Sequence, residues 1–245
     1  MGRDRWLTMT ALMVGALVLV PGIAHGMHIA EGILPATWAG VWFAVALPFL
    51  AWGVYDINRR SREDPTYKPF LAMVGAAVFI ISCMPIPVPT AGTCSHPCGT
   101  GLAAILIGPA PTIVVTSIAL LLQALFLAHG GLSTLGANIV AMGVAGALVG
   151  YGTFRLSRGA GLPVLLAAFV AGALADWATY AATSFELATA LHGGRSVVTM
   201  FVAIGAAFLP TQLPLGIFEG ILSVGAYRFI RRRRPEILSP APHTT

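Results

Sequence analysis

The sequence predicts an all-α polytopic membrane bundle of about seven transmembrane helices, and three observations carry that reading. Hydrophobic residues make up 57% of the 245-residue chain and charged residues 9%, against about 25% charged in a soluble globular domain. Mean hydropathy is +0.83. The basic residues behind the net charge of +5 stand in short clusters between apolar runs, the pattern of a polytopic membrane protein rather than of a nucleic-acid surface. A soluble enzyme, a disordered chain and a nucleic-acid-binding domain are thereby excluded. The length suits one bundle without a separate catalytic domain.

Residues 1–26 read as a secretory signal peptide. Arg3 and Arg5 give a positive start, Leu7 to Val20 an apolar core, and Ala24-His25-Gly26 small residues at the −3 and −1 positions of a cleavage site. An uncleaved first transmembrane helix is the alternative, although the apolar core is short for a span. Cleavage after Gly26 makes Met27-His28 the mature N-terminus. A transmembrane domain at 27–234 then follows, and the Pro-rich polar stretch at 235–245 reads as a disordered cytoplasmic tail.

The apolar stretches fall near 38–55, 69–84, 99–110, 111–128, 133–152, 162–182 and 197–230. Most approach the roughly 20 residues that a spanning helix needs. The third is short and abuts Pro109-Ala110-Pro111, and the last contains Pro210 and Pro214, which predict a kink or two half-helices. With seven spans and the mature N-terminus translocated, three basic clusters face the cytoplasm. These are Arg59, Arg60, Arg62 and Lys68; Arg155 and Arg158; and Arg228 with Arg231 to Arg234. Of the twelve Lys and Arg beyond residue 26, only Arg195 is left outside. A six-span reading inverts the later loops and breaks the positive-inside rule. The same topology puts His28, His96, His129 and His192 on the outer face.

A histidine at the second position of a free N-terminus is a local chelator. The Met27 amine and the His28 backbone nitrogen close a five-membered ring on a metal ion, and that nitrogen with the imidazole Nδ1 closes a six-membered one. Displacing the amide proton suits Ni(II) or Cu(II), whose nitrogen sites are often square-planar. The amine must be deprotonated, so affinity should fall with pH. His96 is the strongest candidate for a fourth donor. It sits in Thr90-Ala91-Gly92-Thr93-Cys94-Ser95-His96-Pro97-Cys98-Gly99-Thr100-Gly101, which reads either as a re-entrant loop presenting one imidazole or as an ordinary solvated outer loop.

Met27-His28-Ile29-Ala30-Glu31-Gly32-Ile33-Leu34-Pro35 resembles the mature N-terminus of the CbiM/NikM family. The run from Cys94 to Leu102 resembles that family's second motif. Gln123 to Leu132 with Thr134 to Asn138, Asp176 with Thr179, Tyr180, Thr183 and Ser184, and Pro214 to Gly220 extend the likeness over essentially the whole mature chain. The motifs are closer to the cobalt-type CbiM branch than to the nickel branch. The resemblance implies a seven-helix substrate-specific component of an energy-coupling factor importer, holding its metal through the N-terminal amine of Met27, His28 and His96. It implies three partners: the transmembrane coupling subunit CbiQ, the ATPase CbiO and the small membrane subunit CbiN. It also implies a bacterial or archaeal cell membrane, with the mature N-terminus outside and the C-terminus cytoplasmic. The transported ion would be Co(II), with Ni(II) the alternative, and no organic cofactor or nucleic acid is called for. The chain has no Gly-x-x-x-x-Gly-Lys-Ser/Thr phosphate loop, so it is not expected to be an enzyme and ATP hydrolysis falls to a partner. Cys98 departs from the family, which has a Thr-like residue there, and Ala30 and Ile33 stand where Met or Pro and Tyr or Phe are commoner.

Several polar residues are candidates for a supporting shell: Cys94, Ser95, Cys98, Gln123, His129, Asn138 and Asp176. Cys94 and Cys98 could bridge, supply soft ligands, or be unpaired structural cysteines. Asp176, Gln123 and Asn138 fall in outer halves of spans. They could orient imidazoles or simply bond helix to helix. His129, flanked by Gly-Gly, reads more as a helix-end hydrogen-bonding group than as a ligand. Glu219 falls deeper, and His192 with Arg195 reads as a solvated outer loop. The Arg231 to Arg234 run is chiefly an orientation signal that can touch anionic membrane lipid. Two rival classes are a stand-alone secondary metal permease, which needs a polar path through the membrane, and an intramembrane metalloenzyme, which needs an open metal position and a base such as Glu31.

Overall fold

The structure is a computed structural model that describes residues 28–84, 86–88 and 93–235, with 86–88, 93 and 94 described as backbone only. The expected signal segment, Met27 with its amine, the Cys94 thiol and the tail beyond Pro235 lie outside the described residues. Seven helices follow in order: α1 (Ala36–Glu63), α2 (Tyr67–Ser82), α3 (Thr100–Ile107), α4 (Pro109–Phe126), α5 (Leu135–Gly159), α6 (Val164–Leu191) and α7 (Val197–Arg233). Between α2 and α3 a short antiparallel hairpin, β1 (Ile86–Val88) and β2 (Thr93–Ser95), pairs Ile86 with Ser95 and Val88 with Thr93. The sequence reading does not anticipate this hairpin.

Helices α1, α4, α5, α6 and α7 are long and apolar enough to cross a membrane, and α2 is a shorter apolar helix of 16 residues. In α1 the buried residues Ala39, Trp42, Ala46, Gly53 and Asp56 form one stripe at helical spacing, while Val41, Val45, Trp52, Val54 and Tyr55 are exposed. An apolar outer face suits lipid as its solvent, and a helix satisfies its own backbone there. α6 is enclosed more completely. Small residues Ala167, Ala168, Ala171, Gly172 and Ala175 are all buried along it, which lets α3, α5 and α7 approach closely.

The third expected span has only 8 helical residues, about 12 Å of rise. A non-helical stretch from His96 to Gly99 leads into it. Pro97 keeps His96 out of the helical region, and Gly108 (φ +84) followed by Pro109 stops α3 and starts α4. Non-helical backbone survives at membrane depth only where protein packs around it, and every residue from Ser95 to Ala104 is buried. Gly99 carries the turn into α3 at φ +71, and a Cβ there would crowd Ile81 at 3.3 Å.

The far end of the bundle gathers the cations. Asp56, buried, pairs with Arg59 at 2.7 Å and Arg60 at 2.8 Å. Arg60 Nη1 also donates to the carbonyl of Ile107 at 3.0 Å, capping the last turn of α3. Gly101 of α3 lies against Gly150 of α5, and the rings of Phe154 and Tyr227 meet at 5.9 Å. The basic ends of α1, α5 and α7 therefore share one end of the molecule, opposite His28. Two details differ from expectation. α7 runs as one helix through Pro210 and Pro214 rather than as two half-helices, with Trp177 Nε1 donating to the Gln212 carbonyl at 3.0 Å between those two residues. α5 contains a π-helical stretch, Ile139–Ala145, a wider turn often found beside functional groups.

Candidate metal centre

Residues 28–35 form a plug against the start of α5. Ile29 N–H donates to Asn138 Oδ1 at 2.8 Å, and the Ile29 carbonyl accepts from Asn138 Nδ2 at 3.1 Å and from Thr134 Oγ1 at 2.6 Å. Ile29 and Leu34 bury with Trp42 and Ala137. The loop after α4 closes over the plug. Gly131 must be glycine there, since a Cβ would stand 2.6 Å from the Glu31 Cα. Glu31 itself is exposed and accepts from Ser133 N–H at 3.0 Å; the Ser133 side chain first and its backbone second lower the carboxyl from its ordinary value. Asn138 is thus the clamp on the N-terminal segment.

Three imidazoles meet beneath this plug. The rings of His28, His96 and His129 stand 4.8 Å apart, centroid to centroid, in all three pairings. One nitrogen of each lies within 4.8 Å of the others. His28 is 3% and His96 2% exposed, and His129 is partly buried. A left-handed Ala128 (φ 49) and Gly130 (φ +79) turn the chain so that His129 faces back to the cluster. The His129 backbone N–H also caps the end of α4, donating to the Gln123 carbonyl at 3.2 Å, so the residue closes the helix with its main chain and meets the cluster with its ring.

Hydrogen bonds settle which nitrogen of two rings carries the proton. Ser82 Oγ donates to the Phe79 carbonyl at 3.0 Å, so it accepts from Gln123 Nε2 at 2.7 Å. Gln123 Oε1 is then turned to His28 Nε2 at 3.1 Å and can only accept. His28 consequently holds its proton on Nε2 and keeps the lone pair on Nδ1, the tautomer that a chelate through the backbone nitrogen needs. At His96 the Pro97 carbonyl accepts from Nδ1 at 3.0 Å. Its lone pair sits on Nε2, 2.9 Å from His129 Nε2, and that contact requires a proton or a cation between the two nitrogens.

Burial also decides the charge. Desolvation, followed by the neighbouring His96 and His129, holds the His28 imidazole well below its ordinary range, with Gln123 opposing weakly. His96 is pushed down to about 3 by burial first and His129 second, and His129 is lowered by burial. All three rings are neutral at neutral pH, the form that binds metal.

The remaining candidates separate. Ser95 Oγ accepts from Gln212 Nε2 at 2.9 Å and lies 3.1 Å from the Tyr180 hydroxyl, so it supports the thread without touching an imidazole. Cys98 and Asp176 do not join the histidines. They form a second group with Glu219, in which Cys98 Sγ stands 3.7 Å from Asp176 Oδ1. Glu219 Oε1 accepts from Gly99 N–H at 2.6 Å. Sequence reasoning missed this grouping because it depends on which faces of α6 and α7 meet the thread.

A multi-pass helical bundle with nitrogen donors gathered at one end and sulfur and oxygen donors at mid-depth defines a membrane protein suited to metal ions. The chain belongs to the CbiM family, "Cobalt uptake substrate-specific transmembrane region", whose model matches residues 28–237. A cobalt transport protein CbiM of Geobacter sulfurreducens is 57% identical over 93% of this chain, which spans 65% of that relative's length. One of Sorangium cellulosum is 58% identical over 86% of this chain and 94% of its own. A crystal structure titled as a transition metal transporter matches with a TM-score of 0.73 and 27% identity, over 84% of this chain and 92% of that one. A truncated transition metal transporter matches with a TM-score of 0.72, likewise at 27% identity, over 84% and 98%.

Proposed function

We propose that this protein captures Co(II) from outside the cell as the substrate-binding component of an ATP-driven energy-coupling factor importer serving cobalamin synthesis. The observation that carries this reading is the meeting of the His28, His96 and His129 rings, with the hydrogen-bond relay from Phe79 through Ser82 and Gln123 holding the His28 proton on Nε2 and its lone pair on Nδ1. After cleavage at Gly26, the Met27 amine, the His28 backbone nitrogen and His28 Nδ1 supply three donors in one plane, and His96 Nε2 supplies the fourth. His129 gives up its contact with His96 as the ion enters. The Ile29 clamp to Asn138 and Thr134 holds the chelating segment in place before any ion arrives, so little ordering entropy is lost on binding.

In this reading the histidine end faces outward and the arginine-rich end faces the cytoplasm, an orientation that the positive-inside rule supports. CbiQ, CbiO and CbiN are the expected partners, and the absence of a phosphate loop leaves ATP hydrolysis to CbiO. Nickel is the alternative cargo, since Ni(II) normally exceeds Co(II) at nitrogen sites, while the names of the two relatives reported above favour cobalt. The test is mass spectrometry of the purified N-terminus followed by Co(II) and Ni(II) titration. A chain that starts at Met27 and loses its tight site in His28→Ala is expected. A chain that still starts at Met1, or a variant that binds as wild type does, removes the chelate mechanism.

A further inference from the structure

We propose a second divalent-cation site, built from Cys98, Asp176 and Glu219, one step below the histidine cluster. Cys98 comes from the thread, Asp176 from the middle of α6 and Glu219 from α7, and one ligand atom of each lies within 4.8 Å of the others. All three residues are buried, Cys98 and Asp176 fully so.

Two unused atoms point to a ligand. Asp176 Oδ2 and Glu219 Oε2 are buried and have no hydrogen-bond partner. Among the described residues neither carboxylate has an ion pair, and the recorded salt bridges belong to Asp56. A buried carboxylate with an idle oxygen is costly in protein and more so within a membrane, where such groups mark ion pathways. A divalent ion supplies what the two oxygens lack. The spacing suits it: bonds of about 2.3 Å to sulfur and about 2.1 Å to oxygen at a tetrahedral angle put the two donors about 3.6 Å apart. The Cys98 Sγ to Asp176 Oδ1 separation is 3.7 Å.

The donor set selects the ion class. Two carboxylates alone would favour Mg(II) or Ca(II), but a thiolate turns the preference to borderline transition metals such as Co(II) and Zn(II). On binding, the thiol proton leaves and a sulfur–metal bond forms without redox change. Thiolate and one carboxylate balance the charge of the ion. Because Cys98 lies two residues beyond His96 on the thread, an ion leaving His96 meets this site next. That transfer rests on the capture reading, whereas the existence of the site does not.

The test is Co(II) titration of the purified full-length protein in detergent, in a Cys83→Ser, Cys94→Ser background, followed by near-ultraviolet absorption. Two equivalents are expected, one of them with a thiolate-to-cobalt charge-transfer band. His28→Ala should remove one equivalent and leave the band. Cys98→Ser should abolish the band, and the near-isosteric Asp176→Asn and Glu219→Gln should each weaken that equivalent at least tenfold, with helicity by circular dichroism unchanged. A single equivalent that His28→Ala removes, with no thiolate band, overturns the second site and leaves the capture site standing. Two equivalents that both survive His28→Ala overturn the capture site instead.

Discussion

The two clusters each bring one atom from three residues within 4.8 Å of one another, yet they are built on opposite principles. At the histidine end nearly every polar atom is committed before an ion arrives. Gln123 fixes one tautomer, the Pro97 carbonyl fixes another, and Asn138 clamps the strand that carries His28. At mid-depth the Asp176 and Glu219 oxygens are left without partners. A preorganised site lowers the cost of binding and favours retention. A site with unsatisfied oxygens gains from an ion, but those oxygens are not locked by partners in advance, which suits brief occupancy. Position agrees with this: His28, His96 and His129 lie outside the helices, whereas Asp176 and Glu219 sit inside α6 and α7.

The contrast can be broken most severely at His28. His28→Ala removes the Nδ1 donor and with it the six-membered chelate ring. Changes to orienting residues cost about 10–100-fold in metal affinity, so loss of the ligand itself should exceed that range by isothermal titration. Gln123→Leu should fall within it, about 10–100-fold, because the relay that holds the His28 proton on Nε2 is cut. Gln123→Glu, which still accepts, should restore most of the loss. A Leu variant that binds as tightly as wild type would mean that the relay does not set the tautomer.

pH sharpens the comparison. All three imidazoles are depressed below the ordinary value of about 6.5, so they stay neutral as pH falls through that value. Metal binding should release one amide proton at all pH, and a second from the amine below about 7.7. The slope of log affinity against pH should therefore be one above that value and two below it, with no further steepening at 6.5. A slope of three near pH 6 would show that an imidazole gains a proton. The same shifts make folding stability highest above pH 6.5. It falls as pH drops towards the folded value of about 3 at His96, since unfolded histidines take up protons that the buried ones refuse.

Smaller effects lie in the scaffold of the plug. Asn138→Ala leaves the Ile29 amide unsatisfied and removes one of two side-chain donors to its carbonyl. Each lost bond is worth roughly 1–3 kcal/mol when a buried group goes unpaired. Hydrogen exchange at Ile29 should therefore accelerate, and affinity should drop less than with Gln123→Leu. Glu31→Gln, at an exposed loop contact, should change affinity by about twofold or less.

The sequence made the histidine end legible because its chemistry is local. A chelate formed by two adjacent residues can be read without knowing any helix contact, and the positive-inside rule then put His96 and His129 at the same end. The number of helices among the described residues was legible for the same reason, since composition alone marks apolar runs. What stayed hidden depends on packing. The roles of Gln123 and Ser82 require α4 and α2 to meet at their ends, and the partition of Asp176 away from the imidazoles requires α6 to face the thread. The shortness of α3 was signalled by Pro97, Gly108 and Pro109, each a local restriction on the backbone. The π-helical stretch after Asn138 left no pattern that period counting detects.

One bond has a mechanical meaning. Glu219 holds Gly99 at 2.6 Å, and Gly99 ends the thread that carries His96 and Cys98. From Glu219 the same helix continues to Arg233 without a proline, about 21 Å of unbroken rise, while Pro210 and Pro214 both lie on its other side. α7 thus tethers the thread to the arginine-rich end of the bundle through a stretch that loses no backbone hydrogen bond to proline.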